Sequence, residues 1–492
     1  MVANRAGRLS MPVALLILAG CTVGPNYKLP AKAIINTPAA QANFVSDDTA
    51  TQIAEPPNNW WQLYNNPTLD ALIKQAFSAN TNLRIAQANL ESVKAMLAEA
   101  KAGREATVSS DATTSYVQQS AESYLQHVQP PERQIYNGGI SISYDADLFG
   151  TIQRGIEAAN DNSEAAAAAR DLVMVNVAAE TMRAYAEICN GGNELAALRH
   201  SVDLQNQALM FERLLYENGR ATSFDVAGEQ AQLDSMSSQV PLLQAKRINA
   251  AYRLSTLIGE PPEEYNHAWL ACQQPLVLLT PLPVGDGRSL LNRRPDVREA
   301  ERRLAAATAL VGEETAKLYP DVKFNASVGS AGAAANILSP LTNFFGYGPS
   351  VSWNLNRSVV RASIVQAKAQ TRARLAAFDG TVLNALQEAQ TAINSYDFEL
   401  NRMDSLTDSQ SLTAQVAASM TELYRGGRVS ALAALSANQN LAAANEAVAS
   451  AQTDVSQSQI AVFYALGGGW DTSGQGAATQ MQIIQQPPEP SP

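Results

Sequence analysis

The sequence predicts an α+β membrane protein, with long packed helices joined to a few amphipathic strands. Three observations predict it. One unit occurs twice at a nearly constant offset, alanine-rich stretches run for tens of residues without proline, and four short segments alternate apolar with polar side chains.

The N-terminus reads as an export signal. Arg5 and Arg8 precede an apolar run over residues 11–20. That is the length a signal peptide uses, and it is shorter than the roughly 20 apolar residues of a membrane-spanning helix. The run ends in Leu18-Ala19-Gly20-Cys21, which resembles a bacterial lipobox. Small residues before the cleaved bond suit a signal peptidase, and the freed N-terminal Cys21 offers its thiol for a diacylglyceryl thioether. Several acyl chains, at about 0.8 kcal/mol per buried methylene, suffice for stable anchoring. Thr22 follows, with no aspartate there to suggest retention in the inner membrane, so the outer membrane is the expected destination. Residues 1–20 are read as the signal peptide and 21–67 as a lipidated N-terminal segment.

Composition narrows the class. The 492 residues carry a net charge of −11, against nucleic-acid binding, which wants clustered Lys and Arg. The hydrophobic share is 46% but only 6% is aromatic, which suits long, closely packed helices. His127, His200 and His267 lack metal-ligand spacing, so no metal is expected. Cys189 lies in a helical stretch and Cys272 in a proline-rich connector. The periplasm permits a disulfide, but the spacing gives no reason to pair them, and two unpaired thiols are the expectation.

The duplication sets the order of elements. Leu215-Tyr216-Glu217-Asn218-Gly219-Arg220 resembles Leu423-Tyr424-Arg425-Gly426-Gly427-Arg428, 208 residues on, and Leu257-Ile258-Gly259 matches Ala465-Leu466-Gly467 at the same offset. Ile142-Ser143-Tyr144 and Val351-Ser352-Trp353 lie 209 apart, and Leu83-Arg84 and Val297-Arg298 lie 214 apart. The first repeat covers 68–259 and the second 287–466, with a connector at 260–286. The tail at 467–492, rich in Gly, Gln and Pro, is expected to be disordered.

Each repeat reads as helix, strand, strand, long helix, turn, helix. First helices are expected over 68–103 and 287–318, strands over 107–117, 139–147, 321–329 and 349–356, and long helices over 151–217 and 358–425. Gly191-Gly192 is an expected break. Leu233, Met236, Val240, Leu243, Ala250, Leu254 and Leu257 form a coiled-coil seam with Arg247 as its polar exception. Pro241 predicts a kink in it. Both long hairpins turn at a Gly-Arg pair, Gly219-Arg220 and Gly427-Arg428, where glycine supplies a left-handed C-cap.

The apolar strand faces carry Tyr116, Tyr144, Phe324 and Trp353, as membrane-barrel girdles do. Two hairpins packed on a soluble core fit the same alternation. Segments 121–135 and 331–346 suit exposed loops, facing the cell exterior if the strands cross the membrane. Four strands cannot close a barrel, and each unsatisfied backbone group in hydrocarbon costs several kcal/mol. Other copies must complete the sheet. Two would give eight strands with an interior filled by side chains; three would give twelve with room for water. The strands alone do not select the number.

Five stretches recur in an order that resembles one family. They are Cys21-Thr22-Val23-Gly24-Pro25-Asn26-Tyr27; Trp60-Trp61 with Asn66-Pro67-Thr68-Leu69-Asp70; Tyr144-Asp145-Ala146-Asp147-Leu148-Phe149-Gly150; Arg293-Arg294-Pro295-Asp296-Val297-Arg298; and Tyr319-Pro320. Together they resemble the outer-membrane factor (TolC-like) family of tripartite exporters, in the lipoprotein branch of RND-type efflux systems, the OprM and NodT type. The resemblance implies a homotrimer whose twelve-stranded transmembrane β-barrel, four strands per chain, continues into a coiled-coil α-helical periplasmic tunnel. It implies a periplasmic adaptor that docks on the hairpin ends and opens the tunnel, and an inner-membrane RND-type pump that supplies the energy. It also implies that Tyr216, Gly219, Arg220, Tyr424, Gly427 and Arg428 serve turn geometry and adaptor docking. Many relatives carry acidic residues just after the second tip. Here residues 429–437 hold none, so Asp225 after the first tip is the gate candidate, as a ring of three copies or facing elsewhere. The expected function is a passive efflux duct. The exit duct of a type I protein secretion system and a non-conducting scaffold lipoprotein are the alternatives. No catalytic Ser/His/Asp arrangement or phosphate-cradling loop occurs, so neither an enzyme nor a cofactor beyond the lipid on Cys21 is expected.

Overall fold

The computed structural model describes residues 22–46, 50–118, 120–122 and 127–468. Cys21 and the tail beyond residue 468, where the lipidation and disorder expectations fall, lie outside the described residues.

In chain order the elements are β1 (Thr51–Gln52), α1 (Pro67–Ala79), α2 (Thr81–Ala102), β2 (Thr107–Val117), β3 (Arg133–Asp145), α3 (Thr151–Glu217), α4 (Ser223–Ser237), α5 (Gln239–Leu257), β4 (Leu282–Pro283), α6 (Gly287–Arg293), α7 (Pro295–Ala316), β5 (Asp321–Gly332), β6 (Asn343–Ser352), α8 (Arg357–Arg425) and α9 (Ala431–Ala465), with short 3-10 turns between some of them. Two compact units form, and each draws on both sequence repeats.

The first unit holds residues 22–30 with Leu90–Ala166 and Ala300–Phe378. Its sheet is antiparallel in the order β2-β3-β5-β6, so β2 and β6 are the open edges. The register aligns like with like. Val108 pairs Ile142, Ile142 pairs Ala326, and Ala326 pairs Tyr347, while Tyr144 pairs Phe324. One face is thereby apolar across all four strands, and most of its large side chains are exposed. The strands at 139–147 and 349–356 are displaced from their expected spans: they run over Arg133–Asp145 and Asn343–Ser352. Gly138, Gly139, Gly346 and Gly348 interrupt the alternation there, and ladder partners carry the pairing through them.

The second unit holds Ala31–Asn89 and Ala167–Glu299 with residues 379–468. Its core packs Trp60, Leu69, Ile73, Met182, Ile188, Leu254, Tyr396 and Phe463. Trp60 stacks on Phe463 at 4.8 Å, and Trp61 meets Phe77 edge-on at 5.8 Å.

Both first helices split. The break between α1 and α2 is Asn80, whose Oδ1 accepts from the Asn82 and Leu83 amides. The break between α6 and α7 is Arg294, held extended by the proline that follows it. The duplication survives at atomic detail: Asn80 Nδ2 donates to Leu257 O at 2.9 Å, and Arg294 Nη1 donates to Ala465 O, 208 residues on, at 2.8 Å. Arg294 also forks onto Asp296 at 2.7 and 2.9 Å and reaches Glu388 at 2.8 Å.

Two further expectations fail in this unit, for one reason. α3 runs unbroken through Gly191-Gly192. A Cβ at Gly191 would lie 2.9 Å from Arg247 Cγ, and one at Gly192 would lie 2.2 Å from Cys272 O. The glycines are there for close approach, not for a bend. Cys189 and Cys272, expected unpaired, form a disulfide. The same approach brings them together, because Arg247 Nε donates to Ile188 O at 3.0 Å and Nη2 to Leu270 O at 2.7 Å and Cys272 O at 3.1 Å. Arg247, the polar exception in the seam, is thus buried and strings the connector onto α3. Burial holds its guanidinium pKa below the ordinary value. The seam helix breaks at Ser238, which places Pro241 in the first turn of α5, where a missing amide hydrogen leaves no helical bond unmade.

Candidate functional site

The hairpin ends repeat one construction. Arg220 N–H donates to Leu215 O at 2.8 Å and Gly219 N–H to Tyr216 O at 2.9 Å. At the second tip, Arg428 N–H donates to Leu423 O and Gly427 N–H to Tyr424 O, both at 2.9 Å. These are the paired bonds of a Schellman cap, with Gly219 at φ +71° and Gly427 at +68°. A Cβ at either glycine would meet nothing within 4 Å. Glycine is therefore required by backbone conformation alone, since other residues pay roughly 1–2 kcal/mol in that region. Tyr216, Arg220, Tyr424 and Arg428 are all exposed, so each tip presents an aromatic ring and a guanidinium to solvent.

The returning helices start differently. Thr222 caps α4: its Oγ1 accepts from the Asp225 amide at 3.3 Å, while Asp225 Oδ2 accepts from the Thr222 amide at 2.8 Å and hydroxyl at 2.7 Å. These bonds hold the Asp225 carboxyl below its usual pKa. The gate candidate is thus the reciprocal half of a capping box. In α9, Ser430 Oγ accepts from the Ala433 amide at 3.1 Å, with no acidic residue in the first turn. Farther along, Gln439 Nε2 donates to Gln205 Oε1 at 2.8 Å and ties the two hairpins together.

The strands carry a polar face opposite the apolar one. Ser109 and Ser141 Oγ lie 2.7 Å apart; Ser143 Oγ donates to Asn325 Oδ1 at 2.9 Å, and Asn325 Nδ2 to Ser350 Oγ at 2.8 Å. Lys323 bridges Asp145 and Asp321, each at 3.3 Å. This row is suited to lining water. Phe344 is its aromatic member: a Cβ on Gly329 would come within 2.6 Å of the Phe344 ring.

The segment just after Cys21 is clamped, a feature that sequence reasoning missed. Asp147 caps α3 by accepting from the Ile152 and Gln153 amides at 3.0 and 2.8 Å. Phe149 stacks on Tyr319 at 4.6 Å, and Phe149 O accepts from the Val23 amide at 3.2 Å. Arg154 Nε donates to Val23 O at 3.1 Å, and its Nη2 donates to Gly24 O at 3.3 Å and Asn26 Oδ1 at 2.7 Å. Gly24, at φ +91°, approaches Gly312 so closely that a Cβ would lie 2.4 Å from its Cα. Three of the stretches quoted above therefore meet at the foot of the sheet. The usable signal was Gly24 beside Pro25, read together with an arginine near the start of a helix.

An amphipathic four-stranded sheet with open edges, in a chain that also forms two long helical hairpins, defines the class of outer-membrane channel subunits. The sequence matches the outer membrane efflux protein family over residues 72–260 and 287–468, and the chain belongs to that family. Nodulation protein T of Rhizobium leguminosarum bv. trifolii is 24% identical, over 95% of this chain and 98% of its own length. The toluene efflux pump outer membrane protein TtgC of Pseudomonas putida is 26% identical, over 97% and 99%. Among solved structures, the outer-membrane channel OprN superposes with a TM-score of 0.82 at 30% identity, covering 92% of this chain and all of that one. The open state of the Neisseria gonorrhoeae MtrE outer membrane channel gives 0.77 at 23% identity, covering 93% of this chain.

Proposed function

We propose that the protein is the outer-membrane exit duct of a tripartite efflux pump, a passive conduit for small molecules delivered by an inner-membrane RND-type pump through a periplasmic adaptor. One observation carries this: the sheet is apolar on one face, polar on the other and open at both edges. In hydrocarbon, β2 and β6 must be paired. Three copies, joined β6 to β2, make a closed twelve-stranded barrel with a polar lumen, and each copy adds its hairpins to a tunnel. A relative bearing the name toluene efflux pump outer membrane protein supports a small-molecule cargo. The protein works as a channel and not as a catalyst. Tyr216, Arg220, Tyr424 and Arg428 are the adaptor contacts, with Gly219 and Gly427 fixing their turns, and Asp225 is the acidic ring at the gate.

Purified full-length protein in planar bilayers is expected to conduct, and deletion in the cell is expected to raise sensitivity to solvents or antibiotics. A folded, membrane-bound protein with no conductance would leave the scaffold reading in place. Cys21 carries acyl chains that assist sorting while the barrel holds the membrane. Cys21→Ala behind a non-lipoprotein signal is therefore expected to give membrane-embedded trimers, and a soluble monomer would sink this.

A further inference from the structure

The loop between β5 and β6 is folded onto one side of the sheet. By strand alternation Ser330 belongs to the apolar face, with Phe324, Ala326 and Val328. Its neighbour Val328 is widely exposed, yet Ser330 is 2% exposed. The loop is the cover. Ser330 Oγ accepts from the Leu338 amide at 2.8 Å and donates to Thr342 Oγ1 at 2.9 Å. A Cβ on Gly332, also on that face, would lie 2.5 Å from Thr342 Cγ2. Thr342 Oγ1 donates to Asn336 O at 2.7 Å, and Thr342 O accepts from the Ala331 amide at 2.9 Å. The loop thus lies over the apolar side of the strand ends, away from the polar face.

What it displays there is apolar. Leu338 sits at φ +65°, a region a leucine avoids, and its amide is held there by Ser330. Leu338 is 78% exposed and Leu341 97%. Residues 331–346 contain no charged side chain, whereas the loop between β2 and β3 contains Glu122 and Glu132. On the same face Phe345 and Tyr347 continue the display down β6. A soluble loop has no reason to hold two widely exposed leucines in a strained, hydrogen-bonded frame; a membrane-interface loop has.

We propose that the β5–β6 loop is a lipid-contacting element. Leu338 and Leu341 enter the acyl-chain region of the outer leaflet and extend the apolar belt beyond the strand ends. The proposal rests on the barrel reading above, because the belt must face lipid for the loop to join it. Nitroxide labels on Leu341→Cys and, separately, Phe345→Cys test both together. Cys189 and Cys272 are bonded to each other and do not take the label. The full-length protein is reconstituted in vesicles of phosphatidylcholine and phosphatidylglycerol, and collisional access to oxygen and to a water-soluble nickel complex is measured. Oxygen access above nickel access at both sites supports the proposal. Nickel access above oxygen at Leu341→Cys, with Phe345→Cys still lipid-like, overturns the loop assignment and leaves the barrel standing. Water-like behaviour at both sites overturns both. Low access to both agents at Leu341→Cys, with broadening between labels on different copies, places the loop against a neighbouring chain and also overturns it.

Discussion

Four helices end in the same backbone motif, and the two pairs live in opposite surroundings. The tip glycines, Gly219 and Gly427, have open space where a Cβ would be. The root glycines, Gly259 and Gly467, repeat the left-handed turn at φ +81° and +67°. Glu260 N–H donates to Ser255 O at 2.9 Å and Gly468 N–H to Phe463 O at 3.4 Å. There a Cβ would lie 2.9 Å from Ala79 O and from Arg294 Cγ, respectively. Duplication copied the turn, and packing then separated its uses. At the roots the turn is locked against the core beside the Asn80 and Arg294 stitches. At the tips it is bare, which suits the docking end proposed above.

The largest effect is expected at the roots. Gly259→Ala and Gly467→Ala combine the left-handed penalty with overpacking, about 2–5 kcal/mol together. Both should lower the yield and melting temperature of the assembled protein, read by the heat-stable oligomer band on gels. Gly219→Ala and Gly427→Ala should cost about 1–2 kcal/mol confined to the tip. They should leave melting unchanged and lower efflux through a disturbed docking surface. Equal loss of melting temperature at roots and tips would break the comparison. Next come the caps: Thr222→Ala and Ser430→Ala should each cost about 1 kcal/mol, read as faster hydrogen exchange in the first turns of α4 and α9. The Asp225 share of the Thr222 cap is present above the ordinary carboxylate pKa and fades as pH falls through its depressed value, so the two caps should converge in acid. The smallest effect is electrical. Asp225→Ala should abolish cation block of single channels, and unchanged block would remove Asp225 from the gate.

The long hairpins, the Gly-Arg turns and the amphipathic strands were legible because each leaves a local periodic or capping signal. The residues that fix the core were not. Gly191-Gly192 reads equally as freedom to bend or room for a neighbour, and the neighbour, Arg247, is more than fifty residues away. Cys189 and Cys272 are 83 residues apart with no pattern between them. Asn80 interrupts no period, so the split of the first helix was invisible, whereas Pro295 marks its counterpart. At the candidate site the tip turns leave a glycine signal, and the Asp225 capping box leaves one too, since Thr222 stands three residues before an acid. The Arg154 clamp was hidden because its partners are backbone carbonyls some 130 residues earlier.

The bond between Cys189 and Cys272 has a topological consequence. It makes residues 189–272 a closed ring that contains the first hairpin tip, while the second tip lies on an open stretch of chain. A protease that cuts both exposed tips therefore meets two different objects. A nick at Gly219-Arg220 should leave one band on a non-reducing gel and two after thiol is added. A nick at Gly427-Arg428 should release the C-terminal fragment in either lane.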